Sequence, residues 1–298
     1  FLVFHLLTKR LKRLSAEMQR VTESHFTESP DLAKSESVGD EIDALSNAFV
    51  DMSQQIRTQI DQLKENDRLR RELVSNISHD LRTPLAAMQG YIETLVIKGD
   101  AMSEEERGRY LRIARKHTVR LNTLIGDLFE LAKLDSASVT PSLEAFSLAE
   151  LVQDIAQEFQ LESEKKDIRL EVESDSSGAF TIGDIGLIQR VLENLVKNAI
   201  RFTPAGGAVT VSIRERDDSI AVAVSDNGPG IPEQEVPRIF DRFYRALDGE
   251  EARSDSSGLG LAIVKRILDL HDSRITVESK VNAGTRFEFA LPVYERAA

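Results

Sequence analysis

A chain of 298 residues with 41% apolar and 30% charged residues has material for more than one packed domain with a solvated surface. It contains no cysteine, which excludes disulfides, thiolate metal sites and cysteine nucleophiles. A net charge of −12, 6% aromatic residues and no tryptophan argue against nucleic acid as a partner, since phosphate binding needs a basic surface and single strands need stacking platforms.

The first residues, Phe1-Leu2-Val3-Phe4-His5-Leu6-Leu7, are apolar and are followed by Lys9, Arg10, Lys12 and Arg13. A bilayer needs about twenty apolar residues, so residues 1–8 read as the end of a truncated transmembrane helix with its basic cluster on the cytoplasmic side. Leu7, Leu11, Leu14, Met18 and Val21 then repeat at four and three, the seam of a coiled coil. A polar connector through Glu28-Ser29-Pro30-Asp31 reaches Gly39, and a second seam runs through Ile42, Leu45, Phe49, Met52 and Ile56. The step from Ile56 to Ile60 is four where the heptad asks for three, a phase slip. Helix, connector and helix, with Asp40-Glu41-Ile42-Asp43-Ala44-Leu45 opening the second helix, resemble a HAMP domain, a parallel dimeric signal-transmitting bundle. Leu11 stands where that family often has proline, and Asp43 where glycine is frequent.

Neither Pro nor Gly interrupts the chain from Asp40 to Pro84, so one long helix should lead into Ser75-Asn76-Ile77-Ser78-His79-Asp80-Leu81-Arg82-Thr83-Pro84-Leu85. On a helical wheel at ~100° per residue, Leu73, Leu81, Met88, Ile92 and Leu95 fall within about 60° of Ile77. His79 and Thr83 project together on the other side, one turn apart, where both can act on one molecule. Pro84 cannot donate to the Asp80 carbonyl and should bend the helix there. After a loop at Lys98-Gly99-Asp100, Ser103-Glu104-Glu105-Glu106 forms a capping box. The helix it opens carries Tyr110, Ala114, His117, Leu121, Leu124, Leu128 and Leu131 on one seam, with His117 a packed residue. Two antiparallel helices cover these stripes best as a homodimeric four-helix bundle.

Beyond Pro141 the period changes to helices near Ser147–Glu164, Asp184–Arg201 and Leu259–Leu270. Strands are expected at Ile168–Glu173, Ala208–Arg214, Ile220–Ser225, Ile275–Ser279 and Arg286–Leu291, giving an α+β layered domain. Three features there suit a nucleotide. Asn194 and Asn198, one helical turn apart, can offer amide oxygens to Mg²⁺, with Arg201 near phosphate and Phe202 offering a ring to a base. Asp226-Asn227-Gly228-Pro229-Gly230-Ile231 follows a strand, and its aspartate can accept from an adenine amino group while Gly228 and Gly230 allow close approach. Gly258-Leu259-Gly260-Leu261 opens a helix whose free amides favour phosphate. Asp248–Ser257, polar and without apolar anchors, reads as a lid. There is neither a P-loop nor a kinase HRD or DFG set.

In this order the motifs resemble those of bacterial sensor histidine kinases. His79 to Leu85 is similar to the H-box, Asn194 to Asn198 to the N-box and Asp226 to Gly230 to the G1-box. Phe240-Asp241-Arg242-Phe243-Tyr244-Arg245 is similar to the F-box, Gly258–Gly260 to the G2-box and Gly284-Thr285 to the tail of the G3 region. Phe202 stands where tyrosine is common, and His271-Asp272-Ser273 replaces a usual His-Gly-Gly.

The resemblance implies a multidomain α and α+β chain. The parts are the helix end at 1–8, a parallel HAMP-like coiled coil at 9–66, a dimerisation and histidine phosphotransfer domain at 67–138 and an α/β-sandwich ATP-binding domain at 139–298. It implies that His79 takes a phosphoryl group from Mg-ATP, oriented by Asp80, and passes it to an aspartate on a response-regulator receiver domain. Thr83 would orient a water for the reverse dephosphorylation. Asp226 would fix adenine, Phe202 stack on it, Asn198 and Asn194 hold Mg²⁺, and Arg201, Arg242 and Arg245 face phosphate. Gly228, Gly230, Gly258, Leu259, Gly260 and Thr285 would complete the nucleotide site. The full-length protein would sit in the bacterial inner membrane with this portion cytoplasmic. The alternatives are a GHKL-type ATPase that couples hydrolysis to dimer closure, and a nucleotide-binding scaffold without catalysis; an exposed His79 beside Asp80 favours the kinase.

Overall fold

The computed structural model describes residues 2–31, 40–136, 139–175, 180–216, 218–244 and 257–294. The chain divides into two compact units, Phe1–Ser78 and His79–Ala298. In the first unit, α1 (Leu2–Glu23) and the leading part of α2 (Glu41–Lys98) bury Leu14, Val21 and Phe49 together, with Phe26 packed against them. These are the seam positions at which the sequence places its two coiled-coil stripes. Leu11, Leu45, Met52 and Leu63 on the same stripes stay exposed on the single chain. Asp40 caps α2 by accepting the amides of Ile42 and Asp43, and it also pairs with Arg10 at 2.6 Å. Among the described residues no helix is long and apolar enough to cross a membrane.

The second unit begins inside α2, which runs unbroken through Pro84 to Lys98. Pro84 is buried and is accommodated within the helix. A 3-10 turn at Gly99–Ala101 leads into α3 (Glu104–Asp135), whose capping box is formed in both directions between Ser103 and Glu106. The two helices form an antiparallel hairpin: the Thr118 hydroxyl meets Met88 Sδ at 3.0 Å, and Tyr91 packs edge-on to Tyr110 and stacks on His117. His117 is thus a packed residue, as its seam position predicts. The last turns of α3 behave differently. Leu131 and Leu134 are buried in the core of the following domain, so the end of the seam read as hairpin belongs to the interface with the α/β layers.

That domain is a five-stranded mixed sheet in the order β2-β4-β5-β7-β6, formed by Arg169–Ser174, Ala208–Arg216, Ser219–Asp226, Gly284–Pro292 and Thr276–Lys280. Among the described residues only β2 and β4 run parallel, their crossover containing α5 (Ile185–Phe202). Helices α4 (Leu148–Lys165), α5 and α6 (Gly260–Leu270) supply one face of the core, and Val211, Ile213, Val222, Val224, Phe287 and Phe289 supply the sheet face. Each such side chain contributes about 1.5–3 kcal/mol when fully buried, which makes this layer the stable platform of the unit. Two short strands have no counterpart in the sequence reading. They are β1 (Glu144–Ser147) and β3 (Phe180–Gly183), which pair antiparallel as a separate small sheet.

The His271-Asp272-Ser273 departure leaves the turn after α6 intact. Asp272 takes the left-handed conformation at φ 52°, one of the few residues besides glycine that does so readily. Ser273 is buried and donates its hydroxyl to the Ala290 carbonyl at 2.7 Å. His271 accepts the Asp184 amide at Nε2 (3.0 Å) and donates from Nδ1 to the Ile267 carbonyl (2.8 Å), a pattern that requires the neutral ring. Asp184 in turn caps α5 by accepting from Leu187.

Candidate functional site

His79 lies on the solvent face of α2, with its side chain 80% exposed. Its Nδ1 stands 3.2 Å from Asp80 Oδ1, while the Asp80 carboxyl is largely shielded. An acceptor at Nδ1 selects the tautomer with the proton there and leaves the Nε2 lone pair free. The Thr83 hydroxyl donates to the His79 carbonyl at 3.1 Å, so it is held one turn along the same face with its own lone pairs available.

The second half of the site gathers at the ends of β5, β7 and α5 and at the start of α6. Asp226 ends β5 in direct register with Thr285 of β7. Burial pushes its carboxyl above the usual aspartate range, although the amides of Gly228 (2.8 Å) and Thr285 donate to it and work in the opposite direction. Gly284 crosses the Asp226 carbonyl with φ 92°, and a Cβ there would collide with that oxygen, so only glycine lets β7 begin at this point. Gly230 ends the turn that leads to Ile231, whose amide is held by Ser279 Oγ at 2.8 Å.

Along α5, the Asn194 amide nitrogen donates to the Arg190 carbonyl at 2.8 Å, which turns its oxygen the other way. That oxygen faces the first residue of α6: a Cβ on Gly260 would stand 2.7 Å from it. Asn198 lies one turn further on. Arg201 lies over the Phe202 ring with its guanidinium carbon 5.3 Å from the centroid, and the ring itself is 43% exposed. Glycine at 260 therefore keeps an amide oxygen uncovered beside a helix N-terminus, a donor set that suits a phosphate and a hard cation together. Among the described residues no cluster of three or more His, Asp or Glu side chains could cage a metal.

Two sequence expectations change. Leu259 is fully buried, so only its backbone can face a ligand, and its amide already bonds Ser257 Oγ at 3.2 Å. Arg242 does not join the asparagines: it pairs with Asp135 at the end of α3 at 2.7 Å, and Arg266 stands 3.6 Å from the other oxygen of the same carboxylate. Gly258 lies beside the F-box, its carbonyl accepting the Phe243 amide at 2.9 Å. Arg245 and the lid up to residue 256 lie outside the described residues.

Sequence reasoning missed a set of contacts between α3 and the α/β domain. Arg190 pairs with Asp127, Glu130 and Glu193 at 2.9–3.3 Å. Burial alone would lower its pKa, but these carboxylates outweigh that and hold it above the ordinary value. Ser257 donates to Asp127 at 2.7 Å while accepting from Leu259, tying the opening of α6 to the hairpin. Arg266 donates to the Leu134 carbonyl at 3.0 Å. A signal was present: Asp127 is a charged residue next to the apolar seam of Leu124, Leu128 and Leu131, and it is only 7% exposed.

Residues 2–58 match the HAMP domain, 69–137 the His Kinase A (phospho-acceptor) domain and 183–295 the histidine kinase-, DNA gyrase B- and HSP90-like ATPase. The sensor histidine kinase WalK of Bacillus subtilis is 32% identical over 266 residues, covering 85% of this chain and 40% of that protein. The crystal structure of full-length ShkA in complex with AMPPNP is similar at 26% identity and TM-score 0.57, over 76% of this chain and 47% of that one. Histidine kinase ThkA in complex with the response regulator TrrA is similar at 25% identity and TM-score 0.61, over 78% and 66%. The chain spans between about a third and three fifths of the length of the curated relatives it matches first (35%, 40% and 61%). With a HAMP segment, a phosphoacceptor hairpin and a histidine kinase-type ATPase fold in that order, the chain belongs to the two-component sensor histidine kinases.

Proposed function

We propose that this chain phosphorylates itself on His79 from ATP, hands the phosphoryl group to an aspartate of a response regulator, and also removes it from that partner. The observation that carries the reading is the Asp127–Ser257–Leu259 bridge. Met88 stands opposite Thr118 in the hairpin, and counting back along α2 and forward along α3 at about 1.5 Å per residue brings His79 to about the level of Asp127. The phosphate-binding end of α6 is therefore tied to the hairpin at the height of the acceptor. The ATPase-only and scaffold readings leave the exposed His79–Asp80 pair without a purpose.

In this mechanism Asp226 accepts from the purine amine and Phe202 covers the base. Asn194 and Asn198 hold Mg²⁺, which when bound neutralises phosphate charge. Arg201 adds positive charge at the phosphates. His79 uses the Nε2 lone pair to form the N–P bond as the bond from the γ-phosphorus to its bridging oxygen breaks and ADP leaves. Asp80 keeps Nδ1–H in place and supports the positive charge that grows on the ring. Thr83 orients the water used in dephosphorylation. The proposed domain limits are 9–66, 67–138 and 139–298, with 1–8 joining a membrane-spanning helix. The working unit is a homodimer, because Leu85, Ile92, Val96, Leu111, Val119 and Phe129 leave the hairpin with exposed apolar side chains on the single chain.

The test is incubation with γ-labelled ATP. Acid-labile, base-stable label on the wild type and none on His79→Gln is expected. Equal label on both would overturn the reading.

A further inference from the structure

Strand register sets three polar side chains in one row: Asp226 pairs with Thr285 across β5 and β7, and Thr285 pairs with Ser279 across β7 and β6. The row lies on the helix-covered face, one step beyond the apolar row of Val224, Phe287 and Val277. The Ser279 hydroxyl meets three groups: the Ile231 amide at 2.8 Å, the Gly284 carbonyl at 3.0 Å and the Thr285 hydroxyl at 2.9 Å. A serine hydroxyl has one proton and two lone pairs. The proton goes to the Gly284 carbonyl, which can only accept. The lone pairs then take the Ile231 N–H and the Thr285 O–H. Every valence is filled, and the Thr285 proton points back into the protein.

We propose that Ser279 is a positioning residue for base selection: by taking the Thr285 proton it makes the Asp226–Thr285 edge an array of acceptors alone. Where this edge faces the 6-position of a purine it suits an amine there and repels a 6-oxo group, because a buried acceptor facing an acceptor leaves both unpaired. The inference rests on the nucleotide reading above and adds to it the residue that sets the direction of a proton. Without Ser279 the Thr285 hydroxyl is free to turn and donate.

The test is calorimetric titration of the whole chain with ADP and with inosine diphosphate, both with Mg²⁺. The wild type prefers ADP, Ser279→Ala loses about tenfold of that preference, and Ser279→Thr, which keeps a hydroxyl, retains it. Equal weakening toward both ligands with an unchanged ratio overturns the proposal, since a merely structural serine would produce that result. Should Ser279→Ala fail to fold, Ser279→Cys keeps the shape with a weakly bonding thiol; the same drop is expected, and an unchanged ratio overturns the proposal. A wild type that binds neither ligand brings down the nucleotide site itself. An ADP preference that survives in the variants brings down only the role of Ser279.

Discussion

The hairpin and the α/β domain hold their polar groups in opposite ways. On the hairpin, His79 and Thr83 are exposed, and they are ordered by contacts within a single helical turn. In the α/β domain, Asp226, Thr285 and Ser279 are drawn together from three strands, and their hydrogen bonds are made to one another and to nearby backbone. In the proposed reaction cycle His79 meets both the ATPase domain and a receiver domain and so has to stay open, whereas a ligand-reading edge has to be fixed before the ligand arrives. Substitutions at the backbone turns of the second region should therefore act through structure, whereas those on the first should act through chemistry alone.

The largest expected effect tests the fixed region. Gly284→Ala forces a Cβ onto the Asp226 carbonyl at a positive φ and should cost about 3 kcal/mol or more, read by chemical denaturation of the α/β domain. A change below about 1 kcal/mol would mean that the β7 entrance is softer than this account holds. Asp226→Asn sharpens the contrast further. It should weaken nucleotide binding roughly a hundredfold while raising the stability of the free protein. The sign follows from the raised carboxyl: the folded state holds this proton more tightly than the unfolded chain does. The ionised side chain therefore costs stability above its folded pKa, and the cost disappears as pH falls through it. Nucleotide affinity, which needs the ionised acceptor, should decline across that same window, at higher pH than an ordinary aspartate would give. Thermal unfolding and ligand titration against pH check both halves, and parallel pH curves for wild type and Asp226→Asn would contradict them.

On the hairpin, Thr83→Ala should leave folding and self-labelling nearly unchanged and reduce dephosphorylation of a response regulator about a hundredfold. If labelling and dephosphorylation fell together, Thr83 would be serving the histidine and not a water. The smallest effect falls between the regions. Arg190→Ala leaves Asp127 and Glu130 without this cation, yet the guanidinium is a third exposed, so solvent screening limits the loss to about 1 kcal/mol. Faster hydrogen exchange near Asp127–Asp135, with the sheet unaffected, is the expected signature.

Local patterns made most of this architecture legible. The residues that make up each seam, the capping box at Ser103 and each glycine-rich turn are close neighbours along the chain, and the long helices and the cap form where that local pattern puts them. What stayed hidden depends on distant partners. Phe146 and Thr181 are buried by pairing of β1 with β3, but four-residue strands carry no period to detect. Arg242 has charge that suits phosphate equally well, and nothing near it in sequence points to Asp135. Ser279 left a faint trace as a polar residue at an inward position of an alternating strand, two after Val277. A polar residue that follows apolar ones on the inward face of a strand is the signal that points to it.

The most direct test of the divided site is to locate the phosphoryl group itself. The whole chain is incubated with Mg-ATP at neutral pH, digested without acid and mapped by mass spectrometry. The account predicts a single phosphoryl mass on the peptide carrying His79, absent from Asp226→Asn and from His79→Gln. A phosphoryl group on any other residue, or on none while ATP is consumed, would contradict it.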